Sequence, residues 1–168
     1  MIYAFDTHYR ENKANTVCIG FEKWEDKTFL WSKSLRTDIK SDYISGAFYK
    51  RELPCIIELL GQIDLKNDDI IVIDGFVFLD DQMKLGLGAH LYHEIGETNP
   101  IVGVGKSNFA TLNKLKRPIL RGESQNPLYI TTIGLDLDEV ANKVKNMFGE
   151  YRMPHLLSQL DQMTKKYE

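Results

Sequence analysis

The chain has 168 residues, of which 43% are apolar and 27% charged, as is ordinary for one globular domain with its own core. Its formal net charge of −3 argues against a protein that binds nucleic acid nonspecifically through a basic surface. No apolar run approaches the ~18 residues needed to span a bilayer, and the first ten residues are unlike a signal peptide. We therefore expect a single domain over residues 1–168, monomeric, cytoplasmic and without contact to a membrane.

The first half of the chain predicts three antiparallel strands followed by a helix. Runs of β-branched and aromatic residues, joined by polar turns, indicate strands at 1–6, 16–24 and 28–35. The stretch 7–15 is expected to be a turn or loop, and 37–52 a longer polar loop. Apolar residues at helical spacing predict a helix over 52–63, with Pro54 in its first turn, where proline is tolerated.

The second half predicts strands that alternate with helices. The near-continuous apolar run at 68–74 is typical of a parallel strand that is covered on both faces. Further strands are expected at 100–106, 117–122 and 126–134, and helices at 85–96, 136–149 and 153–167. This order predicts a mixed α/β sheet that is antiparallel in its first part and parallel later.

Acidic residues stand at the predicted ends of two strands. Asp6 closes the first strand and Asp74 closes the strand at 68–74. Ligands of α/β sheets bind beyond such strand ends, and two carboxylates close together repel each other unless a cation such as Mg²⁺ or Mn²⁺ lies between them. With Glu52 and Asp161 on helices, the four acids would form a two-metal phosphodiesterase site, the ribonuclease H-like pattern. Alternatively, each aspartate only caps a turn, as Asp–Gly pairs often do.

The sequence resembles the endonuclease V family, metal-dependent nucleases that act beside deoxyinosine in DNA or inosine in RNA. The matching segments keep their order along nearly the whole chain: "YAFDTHY", "DYISGAFYKRELP", "IVIDGFVFLDDQMKLGLGAHL", "IVGVGKS", "NPLYITTIGLDLDEVANKV" and "EYRMPHLLSQLDQM". The resemblance implies that Asp6, Glu52 and Asp74 are catalytic and bind metal, that Asp161 is a further metal ligand, and that Lys106 steadies the phosphate. It also implies Mg²⁺ as cofactor, with Mn²⁺ as a substitute, and DNA or RNA as partner.

The resemblance further implies which residues contact the nucleic acid. Tyr43 falls on the wedge tyrosine of the family's Pro-Tyr-Ile-Pro-Gly segment and Gly46 on its glycine. Gly75 falls on the first glycine of Asp-Gly-His-Gly, and His90 falls near the base pocket.

Several positions depart from the family pattern. Asp42 and Ser45 replace the two prolines beside the wedge tyrosine, and Phe76, Val77 and Asp80 replace His, Gly and a later His. A valine cannot copy the close approach of a base to a glycine backbone. The metal site is therefore expected to be kept and the base pocket to be altered.

Two other functions remain open from the sequence. The altered pocket suggests a nucleic-acid-binding protein derived from the nuclease, with weak or no catalysis. An actin-like phosphotransferase ranks last, because no glycine-rich phosphate turn follows Asp6. The basic segment 106–123 is expected either to contact phosphates or to be a solvated hairpin face.

Overall fold

The computed structural model describes residues 1–39 and 49–166. The strands are β1 (Ile2–Arg10), β2 (Lys13–Phe21), β3 (Trp31–Asp38), β4 (Ile70–Asp74), β5 (Ile101–Gly105), β6 (Arg117–Ile119) and β7 (Leu128–Ile133). The helices are α1 (Tyr49–Leu60), α2 (Leu87–Glu94), α3 (Leu137–Lys145) and α4 (His155–Thr164). None of these helices is long and apolar enough to cross a membrane.

The strands form a mixed sheet in the order β3-β2-β1-β4-β5-β7-β6. Strands β1, β2 and β3 are antiparallel neighbours, as the first half of the sequence predicts. Strand β4 joins β1 in parallel, and β5 joins β4 in parallel. The antiparallel pair β7 and β6 closes the sheet at the other edge. The predicted ribonuclease H-like sheet, flanked by helices, is confirmed.

The central strands are buried on both faces. Successive side chains of a strand point to opposite faces, so Ile2 and Ala4 enter one core while Tyr3 and Phe5 enter the other. Helices α3 and α4 cover the first core, and α1 and α2 cover the second. The two cores hold the parallel pair β1–β4 from both faces of the sheet. The acidic residues lie where this pair ends.

Strand β1 is longer than the sequence predicts, because it forms a hairpin with β2. The expected loop at 7–15 is wrong: pairing with β2 continues to Arg10 opposite Lys13, and only a two-residue turn separates the strands. Pairing with β4 stops at Phe5 opposite Ile73. Asp6 therefore lies within β1 rather than at its end, but it is the first β1 residue beyond the parallel pair.

Helix α1 also begins earlier than expected. It starts at Tyr49, so Pro54 is its sixth residue and lies in the second turn rather than the first. Proline has no N–H to donate to the carbonyl of the preceding turn, so the helix loses one internal bond there. Glu52 lies within this first part of α1, on the side of the sheet where β1 and β4 end.

Candidate active site

The carboxyl ends of β1 and β4 bring two aspartates to one place. Asp6, Asp74 and Lys106 line a common small cavity of about 20 Å³, which Met153 and Leu157 close from the side of α4. We call it the carboxylate cavity. Asp74 also borders a larger cleft of about 260 Å³, together with Glu52 from α1. Asp74 therefore lies between two neighbouring spaces, with one of the other predicted acids in each.

Burial and mutual repulsion perturb the acids of this site. The pKa of Asp6 is raised from 3.8 to about 7, first by burial and then by the negative charge of Asp74; Lys106 and the N–H of Thr7, 2.8 Å from Asp6 Oδ1, act in the opposite direction. The pKa of Glu52 is raised to about 7 by burial and by the charges of Asp74 and Asp6. Charged carboxylates in such surroundings are unfavourable without a nearby cation.

Lys106 places a positive charge next to the acids. It follows β5 directly, and its Nζ lies 3.3 Å from Asp74 Oδ2. Burial lowers its pKa, but the charges of Asp74 and Asp6 outweigh this effect, so the pKa is raised. Arg152 holds the main chain here by donating to the carbonyls of Lys106 and Pro127. Lys106 is therefore a protonated lysine in a fixed position beside the acids.

Asp161 approaches the site from α4, which packs against β1 and β2. Its charge contributes to the raised pKa values of Asp6 and Lys106, so it belongs to the same electrostatic neighbourhood. Its Oδ2 forms an ion pair with Lys165 Nζ at 2.8 Å, one helical turn further along. Asp161 is thus near Asp6 and Lys106 and already has a cationic partner.

The donor set is suited to a hard divalent cation, although it is not a preformed cage. Among residues 1–39 and 49–166, no three His, Cys, Asp or Glu side chains lie close enough together to hold a metal ion. Asp6, Glu52 and Asp74 nevertheless influence one another, and all their donor atoms are oxygens, which Mg²⁺ and Mn²⁺ prefer. A cation among them would relieve the repulsion that raises their pKa values.

The larger space beside Asp74 has mostly apolar and aromatic walls. We call it the aromatic cleft; besides the two acids it is lined by Tyr49, Gly75, Phe76, Leu79, Leu87 and Phe109, with Gly86 at the start of α2. Gly75 has φ +140°, a conformation that other residues rarely adopt. Gly75 therefore lies beside the acids, and its backbone conformation favours glycine at this position.

Of the other predicted nucleic-acid contacts, His90 lies behind the cleft wall. Its ring stacks on Tyr49, with centroids 3.7 Å apart and an angle of 15° between the planes. Tyr49 itself lines the cleft, so His90 supports this wall. Tyr43 and Gly46 lie outside the described residues.

Of the three residues expected to alter the base pocket, Phe76, Val77 and Asp80, only Phe76 lines the aromatic cleft. The side chain of Val77 is fully buried and packs against Gly88, where a Cβ would come within 2.7 Å of Val77 Cγ2. Asp80 Oδ1 accepts the N–H groups of Gln82 and Lys84 and stabilises its own turn. Neither residue lines the aromatic cleft, whereas Phe76 does.

Two residues near the aromatic cleft, Phe109 and Asp81, were not identified from the sequence. Phe109 faces Phe76, with ring centroids 5.7 Å apart. Asp81 Oδ1 accepts the N–H groups of residues 113–115 and so fixes the segment that carries Phe109. No local pattern indicates these contacts, because Asp81 and its partners are 32 to 34 positions apart.

The basic segment 106–123 does not form one exposed patch. Lys116 and Arg121 are buried, and Arg117 pairs with Asp138 at 2.6 Å. The Arg121 guanidinium donates to five carbonyls, those of Lys145, Met147, Gly149, Tyr151 and Arg152. The expectation of a solvated hairpin face is therefore wrong for Lys116 and Arg121, whose side chains stabilise the fold.

A mixed sheet in this strand order, with acids beyond the carboxyl ends of its central parallel strands, defines a ribonuclease H-like protein. The family model described as Endonuclease V matches residues 1–148. The chain belongs to the endonuclease V family. The proteins with curated descriptions contain no match to the sequence.

Solved structures share the fold at low sequence identity. The chain is similar to Ciona intestinalis endonuclease V in complex with a 23mer DNA containing an inosine followed by a ribo-adenosine, with 14% identity and a TM-score of 0.80 over 98% of this chain and 83% of that one. It is similar to human endonuclease V, with 19% identity and a TM-score of 0.72 over 98% and 82% of the two chains. For the Bacillus subtilis enzyme the identity is 19% and the TM-score 0.68, over 97% and 77%.

Proposed function

We propose that this protein is a divalent-metal-dependent endonuclease that hydrolyses phosphodiester bonds of DNA or RNA next to deoxyinosine, inosine or another damaged or mismatched base. One observation carries the proposal: in a chain of the endonuclease V family, Asp6 and Asp74 meet beyond the parallel pair β1–β4, with Lys106 Nζ 3.3 Å from Asp74. The inosine-containing DNA bound to the Ciona intestinalis relative supports the substrate class.

In this proposal the acids have a common role as ligands. Asp6, Glu52 and Asp74 would hold Mg²⁺, or Mn²⁺ in its place, and Asp161 would support them once its bond to Lys165 is released. When bound, the cation would supply positive charge to the phosphate and to the attacking water. The acids have to lose their protons first, and with pKa values of about 7 for Asp6 and Glu52, cation binding competes with protonation near neutral pH.

Lys106 would act on the scissile phosphate. Its raised pKa keeps Nζ protonated, and it can donate to a phosphate oxygen once a cation takes over the charge of Asp74. Positive charge held at the place where negative charge develops lowers the barrier of such a reaction.

The nucleic acid would be held on the side of the aromatic cleft. Gly75 would allow a base to approach the main chain closely, because glycine has no side chain. Another residue at this position would be strained at φ +140°. His90 would act through Tyr49, on which it stacks. Tyr43 and Gly46 would contact the nucleic acid, as the family resemblance implies.

A second candidate function is nucleic-acid binding with weak or no catalysis. One observation favours it: Asp74 and Asp161 each have a lysine partner, Lys106 and Lys165. Lysines that neutralise the acids permanently would allow a phosphate backbone to approach without a cation.

A cleavage panel separates the two functions. Oligonucleotides with inosine, uracil, a mismatch or a flap are incubated with Mg²⁺ or Mn²⁺ and the parent protein, Asp74→Asn or Asp64→Asn. We expect the parent and the exposed control Asp64→Asn to cleave equally well. The cleavage rate of Asp74→Asn should fall by more than about 100-fold, because loss of a metal ligand should cost at least as much as loss of a residue that supports a ligand.

Equal cleavage by Asp74→Asn and the parent would contradict the assignment of the site. Tight binding of the oligonucleotides by the parent, with no product after long incubation in either metal, would favour the second function.

A further inference from the structure

The aromatic cleft beside Glu52 and Asp74 has room for one small flat ligand. Its volume of about 260 Å³ lies just below the range of roughly 300–1,000 Å³ that is typical of ligand pockets. Phe76 and Phe109 form a pair in its wall, with centroids 5.7 Å apart and planes tilted by 54°. Leu79 and Leu87 add aliphatic surface. The space therefore offers a flat ligand large faces for stacking and apolar contact.

The rings of the cleft are held in place by the surrounding fold. Phe76 packs against Gly105, where a Cβ would come within 2.5 Å of the ring. The segment that carries Phe109 is tied to the opposite wall, because Thr111 Oγ1 donates to the carbonyl of Leu79 at 2.7 Å and Asp81 accepts three N–H groups further along. The stacking faces are thus present before a ligand arrives.

Several main-chain N–H groups around the cleft already donate to carbonyls of the chain. The N–H of Gly75 donates to the carbonyl of Val104 at 3.1 Å, and the N–H of Leu79 donates to Lys84 at 2.8 Å. The N–H of Gly86 donates to Val77 at 2.9 Å.

The start of α2 is closed in the same way. Its Gly88 and Ala89 N–H groups donate to the carbonyls of Phe76 and Val77. The first N–H groups of a helix have no partner within the helix and can bind a ligand. Here the carbonyls of the loop before α2 accept two of these N–H groups.

The described lining also offers few polar side chains to bind a base. They are Tyr49, Glu52 and Asp74, and the two acids belong to the proposed metal site. A base with a polar edge, such as hypoxanthine with its carbonyl oxygen and ring N–H, loses its bonds to water on entering and regains few of them. A base whose edge is covered by a hydrocarbon bridge loses fewer bonds to water and keeps the stacking.

We propose that the aromatic cleft takes a flipped base by stacking and apolar contact, and that it prefers a base whose hydrogen-bonding edge is covered by an apolar exocyclic ring over hypoxanthine. Ethenoadenine, in which a two-carbon bridge closes a third ring over this edge of adenine, is the simplest such base. The inference rests on the proposed function, because the cleft lies directly beside the acids that would act on the neighbouring phosphate. It goes further by naming the class of damaged base.

Ethenoadenine is fluorescent, and stacking on an aromatic side chain quenches it, so binding can be measured apart from cleavage. Otherwise identical duplexes carry ethenoadenine, hypoxanthine or adenine at one position, and affinities are determined with Ca²⁺ present. We expect the parent protein to bind the ethenoadenine duplex about 5- to 100-fold more tightly than the hypoxanthine duplex, with quenching.

Three variants test whether the cleft causes this preference. Phe109→Ala should lose most of the preference and of the quenching, whereas Phe109→Tyr, which keeps the ring, should retain both. Tyr151→Ala removes an exposed aromatic side chain that does not line the cleft and should behave as the parent. Because Phe109 is itself partly exposed, its replacement should leave the fold intact, as a thermal melt would show.

The outcomes distinguish this inference from the proposed function. Equal or tighter binding of the hypoxanthine duplex would overturn the inference, while cleavage of that duplex with Mg²⁺ would still support the nuclease. Preference for ethenoadenine with no cleavage of any substrate would support the cleft assignment and contradict the nuclease. Failure of all duplexes to bind would overturn both.

Discussion

Replacing Asp6 by asparagine is expected to stabilise the metal-free protein at neutral pH. Burial and the charge of Asp74 raise the pKa of Asp6 from 3.8 to about 7. At about 1.36 kcal/mol per pKa unit, an ionised Asp6 costs the fold up to about 4 kcal/mol. Asparagine has nearly the same shape, its oxygen can still accept the N–H of Thr7, and it carries no charge. We therefore expect its free energy of unfolding to be about 1–4 kcal/mol higher than that of the parent.

The gain should depend on pH in a definite direction. Between about pH 4 and pH 7 the folded protein holds more protons on Asp6 and Glu52 than the unfolded chain does. The stability of the parent therefore falls as the pH rises through this window and stays low above it. The variant lacks the contribution of Asp6, so its advantage should be small near pH 4 and complete near pH 8.

Urea denaturation in EDTA over this pH range measures the effect, and thermal melts should show a rise of about 2–4 °C per kcal/mol. The control is Asp64→Asn, an exposed aspartate that pairs with Lys66; it should show no comparable gain. With Mg²⁺ the parent should gain stability and Asp6→Asn should gain much less, because the ligand is lost. A variant no more stable than the parent at pH 8 in EDTA would refute the crowding of negative charge that the proposed metal site requires.

Three further substitutions test separate parts of the site and its support. Lys106→Met should lower the cleavage rate by about 10²–10³-fold through loss of positive charge at the phosphate, and should also weaken the metal-free fold by leaving Asp74 without its partner; unchanged cleavage would contradict the role of Lys106. Asp81→Asn should weaken the three N–H bonds that hold the segment carrying Phe109, which faster amide hydrogen exchange at residues 113–115 would reveal and unchanged exchange would contradict. Arg121→Lys should lower the free energy of unfolding by about 2–4 kcal/mol, because an ammonium cannot replace a guanidinium that serves five buried carbonyls; a loss below about 0.5 kcal/mol in urea denaturation would show that these bonds contribute little.

The sheet was predictable wherever burial on both faces leaves an uninterrupted apolar run. β4 and β5 are such strands, and their apolar runs predict them as buried strands. The second half of β1 was not predictable, because Thr7–Arg10 is a polar run that becomes a strand only through its pairing with β2. The second half of β1 is a strand because β2 pairs with it, and not because of its own residue types.

The position of Asp6 and Asp74 near one edge of the sheet was predictable for a related reason. A strand end in a parallel sheet is defined by where pairing stops, and Asp6 and Asp74 stand at that point on neighbouring strands. The walls of the aromatic cleft were not, because Phe76 and Phe109 meet across 33 positions through a segment that Asp81 holds. Contacts of this kind depend on tertiary structure, which no short motif encodes.

If the proposed function holds, the position of Asp74 would make chemistry and base selection separable in this chain. Its carboxylate borders the carboxylate cavity with Asp6 and Lys106 and also the aromatic cleft with Phe76. Phe76 gives the cleft an apolar wall, and the charges that help to raise the pKa values of Asp6 and Glu52 are those of the neighbouring acids. On the proposed function, a change of the cleft would alter which base is accepted while the repulsion among the acids remains. For the same reason, Phe109→Ala should alter the choice of base and leave the gain in stability from Mg²⁺ intact, whereas Asp6→Asn should do the reverse.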